Sequence, residues 1–268
     1  IREDVGDGDH TSLSTIPSDA KGKAQLLVKQ NGIIAGVEIA SEIFKTLDSE
    51  IKLEIRIPDG TTVTKGDVVF ITEGRVQTLL KAERLVLNVM QRMSGIATQT
   101  AVYVERLKGT KTQILDTRKT TPGMRLLDKM AVKLGGGANH RIGLFDMILI
   151  KDNHIDFAGG IEKAIQRAND YCKHNNKQLK IEIEARSIDD VKRIISFGKV
   201  HRIMLDNFST LQTKEAVQLI GGTYEIESSG NITLENIREY AECGVDFISV
   251  GALTHQIKSL DLSLKALF

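Results

Sequence analysis

The stretch that decides the fold is residues 181–206, IEIEARSIDDVKRIISFGKVHRIMLD. A short isoleucine-rich run is followed by a helix-length segment and then by a second short apolar run that ends in an acid. The same alternation recurs on both sides of it. Short runs lie at Gln113 to Asp116, Met147 to Lys151, Ile181 to Ala185, Arg202 to Asp206, Tyr224 to Ser228 and Phe247 to Gly251, and the last four end about 22 residues apart. That is the spacing of compact β-α units, which with right-handed crossovers build a parallel sheet able to close into a barrel. A complete barrel of this kind has eight strands. Six runs predict an incomplete, six-stranded α/β barrel.

Upstream the pattern changes near residue 80. Lys23 to Val28, Gly32 to Val37, Leu53 to Ile57 and Val68 to Glu73 read as strands, with Pro58-Asp59-Gly60 and Lys65-Gly66-Asp67 as turns. Val76 to Leu107 then shows helical apolar spacing at Leu80, Leu87, Val89, Met90 and Met93, and is expected to be helix interrupted near Ser94-Gly95. The expected organisation is an N-terminal α/β domain with its linking helix over 1–98 and a catalytic barrel over 99–268.

Composition narrows the function classes. The 268 residues carry 36 Lys and Arg against 35 Asp and Glu, a net charge of +1, so no global field argues for nucleic acid or a membrane surface. No apolar run approaches the ~18 residues of a spanning helix. Cys172 and Cys243 are the only cysteines and form no paired motif, which leaves a reducing compartment, the cytosol, as the expectation. Metalloprotease, nucleophile-elbow and P-loop signatures are missing from the sequence.

What remains is local clustering at the strand ends, which in a barrel all lie on the rim that carries active sites. Arg118, Lys119, His140, Arg141 and Lys151 form a basic set suited to a small polyanion, because the arginine fork grips carboxylate or phosphate at two points and lysine acts as a point charge. Each alone reads equally well as a solvated turn or a structural histidine. Glu184 and Asp206, on adjacent strands, suit hard-oxygen coordination of Mg²⁺ beside substrate phosphate, or else salt bridges to Lys151 and the arginines. Ser228-Ser229-Gly230 and Ser249-Val250-Gly251-Ala252 follow the last two long-spaced strands, where barrels often bind phosphate on backbone N–H groups.

Three segments carry a resemblance. Asp116-Thr-Arg-Lys-Thr-Thr-Pro-Gly-Met-Arg125, Gly135-Gly-Gly-Ala-Asn-His-Arg141 and Ile148-Leu-Ile-Lys-Asp-Asn-His154 closely resemble the quinolinate phosphoribosyltransferase family, also called carboxylating nicotinate-nucleotide pyrophosphorylases. The likeness extends from Glu3-Asp4-Val5-Gly6-Asp7-Gly8-Asp9 through Glu83-Arg84 and Ser94-Gly95-Ile96-Ala97-Thr98 to Ser249-Val-Gly-Ala-Leu-Thr-His255. Asn231 stands where many members have a second glycine. The resemblance implies an N-terminal α/β sandwich plus incomplete barrel, and transfer of phosphoribosyl from phosphoribosyl pyrophosphate to quinolinate with loss of CO₂. It implies that Arg84, Arg118, His140, Arg141 and Lys151 hold the quinolinate carboxylates, with Lys119 and Lys151 also near the donor. Glu184 and Asp206 would be the metal, ribose or pyrophosphate contacts. Ser229, Gly230, Gly251 and Ala252 would hold the 5′-phosphate, with Thr117, Ser228 and His255 completing the substrate contacts. It further implies Mg²⁺, no organic cofactor, and a homodimer in which Arg84 reaches the partner's barrel.

Three readings compete. A homologue associated with molybdate transport shares the fold and many motifs, so the carboxylate-binding set carries the assignment rather than the fold. A barrel aldolase using Lys151 as a Schiff base needs fewer cations than cluster here. Asp59 to Asp67 has the turn pattern of a biotin or lipoyl carrier domain, yet lacks a lysine at a hairpin tip.

Overall fold

The computed structural model describes residues 1–267 and divides into two compact units. The first comprises Ile1–Ala101, Leu127–Gly136 and Gln256–Phe268, and the second Val102–Leu126 and Gly137–His255.

The first unit holds β1 (Lys21–Val28), β2 (Gly32–Ile33), β3 (Lys52–Ile55), β4 (Thr62–Val63) and β5 (Val68–Arg75), joined by the C-terminal strand β12 (Leu262–Leu267). The antiparallel sheet runs β12-β1-β5-β3, and β2 pairs separately with β4. Alternation along β1 buries Ala24, Leu26 and Val28, which meet Phe70, Leu262 and Leu264 in one core. The helix Val37–Leu47 covers that core with Val37, Ala40 and Phe44, and Phe44 meets Phe70 edge-to-face at 6.1 Å.

Three sequence expectations are revised in this unit. The strand expected over Gly32 to Val37 stops at Ile33, because Gly36 takes a positive φ of 97° and Asp59 caps a helix that starts at Val37. The Asp59 carboxylate accepts the Val37 and Glu38 N–H groups at 2.9 and 3.1 Å, so the Pro58-Asp59-Gly60 turn doubles as a cap. The expected interruption at Ser94-Gly95 is absent, and one helix runs Val76–Arg106. Gly95 serves close packing instead: a Cβ there would lie 2.4 Å from the Lys258 carbonyl oxygen. Ser94 Oγ accepts the Ala35 N–H at 2.9 Å. Third, the chain beyond 99 does not stay in the barrel. β12 pairs with β1 from Lys23↔Leu267 to Val28↔Leu262, and the buried Asp128 receives Arg92 through two 2.8 Å bonds within the first unit.

The second unit is the parallel α/β half: β6 (Gln113–Leu115), β7 (Ile148–Ile150), β8 (Ile181–Ala185), β9 (Arg202–Asp206), β10 (Glu225–Ser229) and β11 (Phe247–Ser249). Their order, β6-β11-β10-β9-β8-β7, is the circular order of a barrel left open between β6 and β7. At that opening Ala138 bridges to Leu115 in parallel, donating its N–H to Ile114 O at 2.8 Å and accepting from Asp116 N at 3.2 Å. Helices Ile188–Phe197 and Thr210–Ile220 are started by Ser187 and Ser209, whose side chains accept the Asp190 and Gln212 N–H groups. No helix of the described residues is long and apolar enough to cross a membrane.

Candidate active site

Strand register builds the site. Side chains alternate faces along a strand, and registered neighbours on parallel strands share a face. Glu182 pairs with Arg202, Glu184 with Met204, Arg202 with Glu225, Met204 with Glu227, and Asp206 with Ser229. Leu149 on β7 pairs with Glu182, and Phe247 on β11 with Glu227. One face of this sheet therefore carries Glu182, Glu184, Arg202, Asp206, Glu225, Glu227 and Ser229, while Ile181, Ile183, Ile203, Leu205 and Ile226 fill the other.

Continuing β7 by one residue puts Lys151 beside Glu184, and their side chains meet at 2.6 Å. The other Glu184 oxygen accepts the Asp152 N–H at 3.1 Å, at the start of the helix Asp152–Ala158. Glu184 is thus buried between a lysine and a helix N-terminus, the salt bridge being one of the two arrangements open to it from sequence.

Arg118 and Arg141 converge without a carboxylate bonded to either guanidinium among the contacts of the described residues. Burial, and then the charge of Arg118, pull the Arg141 guanidinium below its usual value. Its Nη1 donates to the Met147 carbonyl at 3.2 Å. Arg118 Nε is buried with no hydrogen-bond partner among the described residues. Two adjacent cations with an unused buried donor form a receptor for an anion.

Below them lies a buried cluster that sequence reasoning missed. His140 Nε2 is 3.0 Å from Glu182 and 3.4 Å from Glu227, and Arg202 bonds Glu227 at 3.1 Å and Glu225 at 3.0 Å. The signal was present as the repeated acid-apolar alternation of Ile181 to Ala185 and Glu225 to Ser229. Burial opposes charge on His140, but the Glu182 and Glu227 carboxylates outweigh it and push the ring up to about 9. Burial and the Glu227 charge push Glu182 up to about 7. A second ring proton would have to sit on Nδ1, which already accepts the Arg141 N–H at 2.7 Å, so Glu182 is the better seat for it. His140, Glu182 and Glu227 also lie close enough to share a metal, yet Arg202 already supplies the cation there.

At the rim, Asp206 accepts from Asn207 Nδ2 at 2.9 Å, and Asn207 accepts from Asn231 Nδ2 at 3.1 Å. Asn231 has φ 51°, the left-handed region that a glycine would supply. Gly230 has no room for a side chain, since a Cβ would fall 2.2 Å from Asn207 Oδ1. Gly251 lies against Lys119 and His255, each 3.1 Å from where its Cβ would be. Thr254 Oγ1 donates to the Lys119 carbonyl at 2.9 Å, and Thr117 Oγ1 accepts the Lys119 N–H at 3.1 Å.

Arg118, Lys119, Arg141, Lys151, Glu184, Asp206, Ser229, Gly230, Gly251, Ala252 and His255 are all carried by the second unit, at or beyond the C-terminal ends of its strands. Ser228 is not on their face: it alternates with Glu227 and Ser229, and its Oγ is buried without a partner. Its side chain therefore lies on the face opposite to Ser229. His140 is buried with both ring nitrogens engaged by protein. Arg84 is exposed on the long helix of the first unit.

Residues 9–94 match the family described as quinolinate phosphoribosyl transferase, N-terminal domain, and residues 96–265 match its C-terminal domain. Quinolinate phosphoribosyltransferase (decarboxylating) 1b of Nicotiana tabacum is 45% identical over 280 residues, covering 99% of this chain and 79% of the relative. The crystal structure of NadC from Streptococcus pyogenes superposes with a TM-score of 0.94 at 39% identity, covering 100% of this chain and 94% of that one. The nicotinate-nucleotide pyrophosphorylase of Francisella tularensis gives 0.93 at 41% identity, covering 99% and 92%. Two domain matches in the right order, with full-length structural agreement, make this chain a member of the quinolinate phosphoribosyltransferase family.

Proposed function

We propose that this protein transfers the phosphoribosyl group of phosphoribosyl pyrophosphate to the ring nitrogen of quinolinate, giving nicotinate mononucleotide, pyrophosphate and CO₂. The carrying observation is the Arg118–Arg141 pair, a cationic receptor holding an unpartnered buried donor, which suits a dicarboxylate. Relatives named for this activity cover nearly all of the chain.

In this reading Arg118 and Arg141 orient the two carboxylates so that the ring nitrogen faces C1′ of the donor. Lys151 and Lys119 add point charge. Glu184 sets the position of the Lys151 ammonium through their 2.6 Å bond. Ser229, Gly230, Gly251 and Ala252 offer backbone N–H groups to the 5′-phosphate, with Gly230 and Gly251 keeping that approach open. Positive charge develops at C1′ as pyrophosphate departs, so the residues act by alignment and charge stabilisation, with no covalent enzyme intermediate. Loss of the adjacent carboxylate then draws on the positive charge acquired by the ring nitrogen.

The donor set fits Mg²⁺: Glu184 and Asp206 share a face on neighbouring strands, Asp206 is partly exposed, and both are hard oxygen donors. Bound there with pyrophosphate oxygens, the ion would supply charge neutralisation of the leaving group. A homodimer in which Arg84 completes the partner's site is part of the same reading. It is supported by exposed Leu144, Phe145 and Phe157 on the second unit, apolar surface that a lone subunit leaves in water.

The test is incubation with quinolinate, phosphoribosyl pyrophosphate and Mg²⁺, followed by mass spectrometry. Nicotinate mononucleotide formed with one equivalent of CO₂ is expected. Nucleotide absent at high enzyme concentration overturns the assignment.

A further inference from the structure

The interior of an α/β barrel is ordinarily filled by layers of branched apolar side chains. Here Glu182 and Glu227 are both 0% exposed at that position, and Arg202 and His140 are buried between them. Arg202 is held from several sides. Its Nε and Nη2 donate to Glu225 at 3.1 and 3.0 Å, its Nη1 donates to Glu227 at 3.1 Å, and its guanidinium lies 4.0 Å from the Phe247 ring centroid. Stability alone does not account for such a cluster, since replacing buried ion networks with apolar side chains is often neutral or stabilising. What the cluster does is fix a place.

We propose that Glu227 and Glu182 are positioning residues which, by holding His140 from within the barrel, set the direction of the Arg141 guanidinium at the substrate rim. The connection is short and continuous. His140 Nε2 faces both carboxylates at 3.0 and 3.4 Å, and its Nδ1 accepts the Arg141 N–H at 2.7 Å. The backbone of the same segment is tied to β6, where Asp116 accepts the His140 N–H at 2.9 Å and Asn139 Nδ2 at 2.6 Å. Asn139, His140 and Arg141 are therefore pinned from two directions, one residue after Gly135-Gly136-Gly137, a run with little conformational preference of its own. The ring thus links the barrel interior to that segment. Losing a carboxylate frees the imidazole to rotate, and Arg141 follows. Arg202 keeps the two carboxylates compatible in one buried space. Neither glutamate touches substrate in this arrangement, so their effect passes entirely through His140 and Arg141.

The proposal rests on the quinolinate reading of the site, and the experiment separates the two. Glu227→Gln keeps the shape and removes the charge. The expected result is a rise of tenfold or more in KM for quinolinate, with KM for phosphoribosyl pyrophosphate within twofold of wild type. Combined with Arg141→Ala, the variant should add no further rise, because the residue it positions is already gone. Histidine ¹⁵N NMR of the substrate-free protein gives an arm independent of turnover: the His140 Nδ1 and Nε2 shifts should move in Glu227→Gln. Glu182→Gln serves in the same three measurements if Glu227→Gln does not fold. Equal losses on both substrates, additivity with Arg141→Ala, or unmoved His140 signals overturn the positioning role. Wild-type protein that makes no nicotinate mononucleotide overturns the functional reading, and the NMR arm still decides whether the glutamates hold the ring.

Discussion

Arg118→Lys should damage the protein far more than a charge-conserving change suggests. In the structure Arg118 Nε is a buried donor with no partner, and the neighbouring Arg141 feels the Arg118 charge directly. A bound carboxylate would satisfy Nε and a second guanidinium N–H together. Lysine restores the charge but offers a single point of contact at the end of a flexible stem. The loss is then about one charge-assisted hydrogen bond, roughly 1.5–3 kcal/mol. Converted at 1.4 kcal/mol per tenfold, that is a fall of about 10- to 150-fold in kcat/KM for quinolinate. Arg118→Gln, which also removes the charge, should fall further. The assay is steady-state turnover with each substrate varied while the other saturates, with binding of quinolinate alone followed by calorimetry. A lysine variant within threefold of wild type on quinolinate would refute the two-point grip, as would a loss falling equally on both substrates.

Other outcomes follow from the same geometry. Gly95→Ala would gain about 1 kcal/mol of helix propensity at an open position, but its Cβ would sit 2.4 Å from the Lys258 carbonyl oxygen, so the denaturation midpoint should drop; a rise would show that this contact relaxes freely. Asp206→Ala should raise the Mg²⁺ concentration giving half-maximal activity and leave binding of quinolinate alone unchanged, whereas Glu184→Ala should disturb both, because Glu184 also holds Lys151. Identical Mg²⁺ titrations for Asp206→Ala and wild type would leave that carboxylate no metal role. The buried cluster keeps a proton to about pH 7 on Glu182 or about 9 on His140, against reference values of 4.5 and 6.5. The native state then binds more protons than the unfolded chain, and stability falls as pH rises through that window. Chemical denaturation at pH 6 and 9 should show this fall, on the order of 1–3 kcal/mol, and a flatter profile in Glu182→Gln; equal slopes would place the proton elsewhere. Finally, inactive Arg84→Ala and Lys151→Ala subunits, mixed with verified exchange, should recover activity from about a quarter of their sites. Recovery no greater than the parents alone would mean that Arg84 does not act across an interface.

The parallel half of this protein is legible from its residues alone. Its strand runs at Ile181 to Ala185 and Arg202 to Asp206 coincide with β8 and β9, because a short β-branched run followed by a helix-length segment has one local solution and a fixed direction of crossover. The charges at the strand ends were equally legible, and Lys151 beside Glu184 is the pair expected when a desolvated lysine and a desolvated acid end adjacent strands. Tertiary structure decided what depends on partners far away in the chain. β12 joins β1 across more than 230 residues, and no local pattern at Leu262 to Leu267 names that partner. Gly95 reads as a helix breaker until the Lys258 carbonyl fills the space where its side chain would be. Ser228 reads as part of a phosphate loop until strand alternation turns it away from Ser229. The Glu182, Glu227, Arg202 and His140 cluster comes from three strands and one loop, and only strand register brings it together. A sequence shows which side chains a strand carries, whereas burial and charge pairing depend on which strand lies beside it.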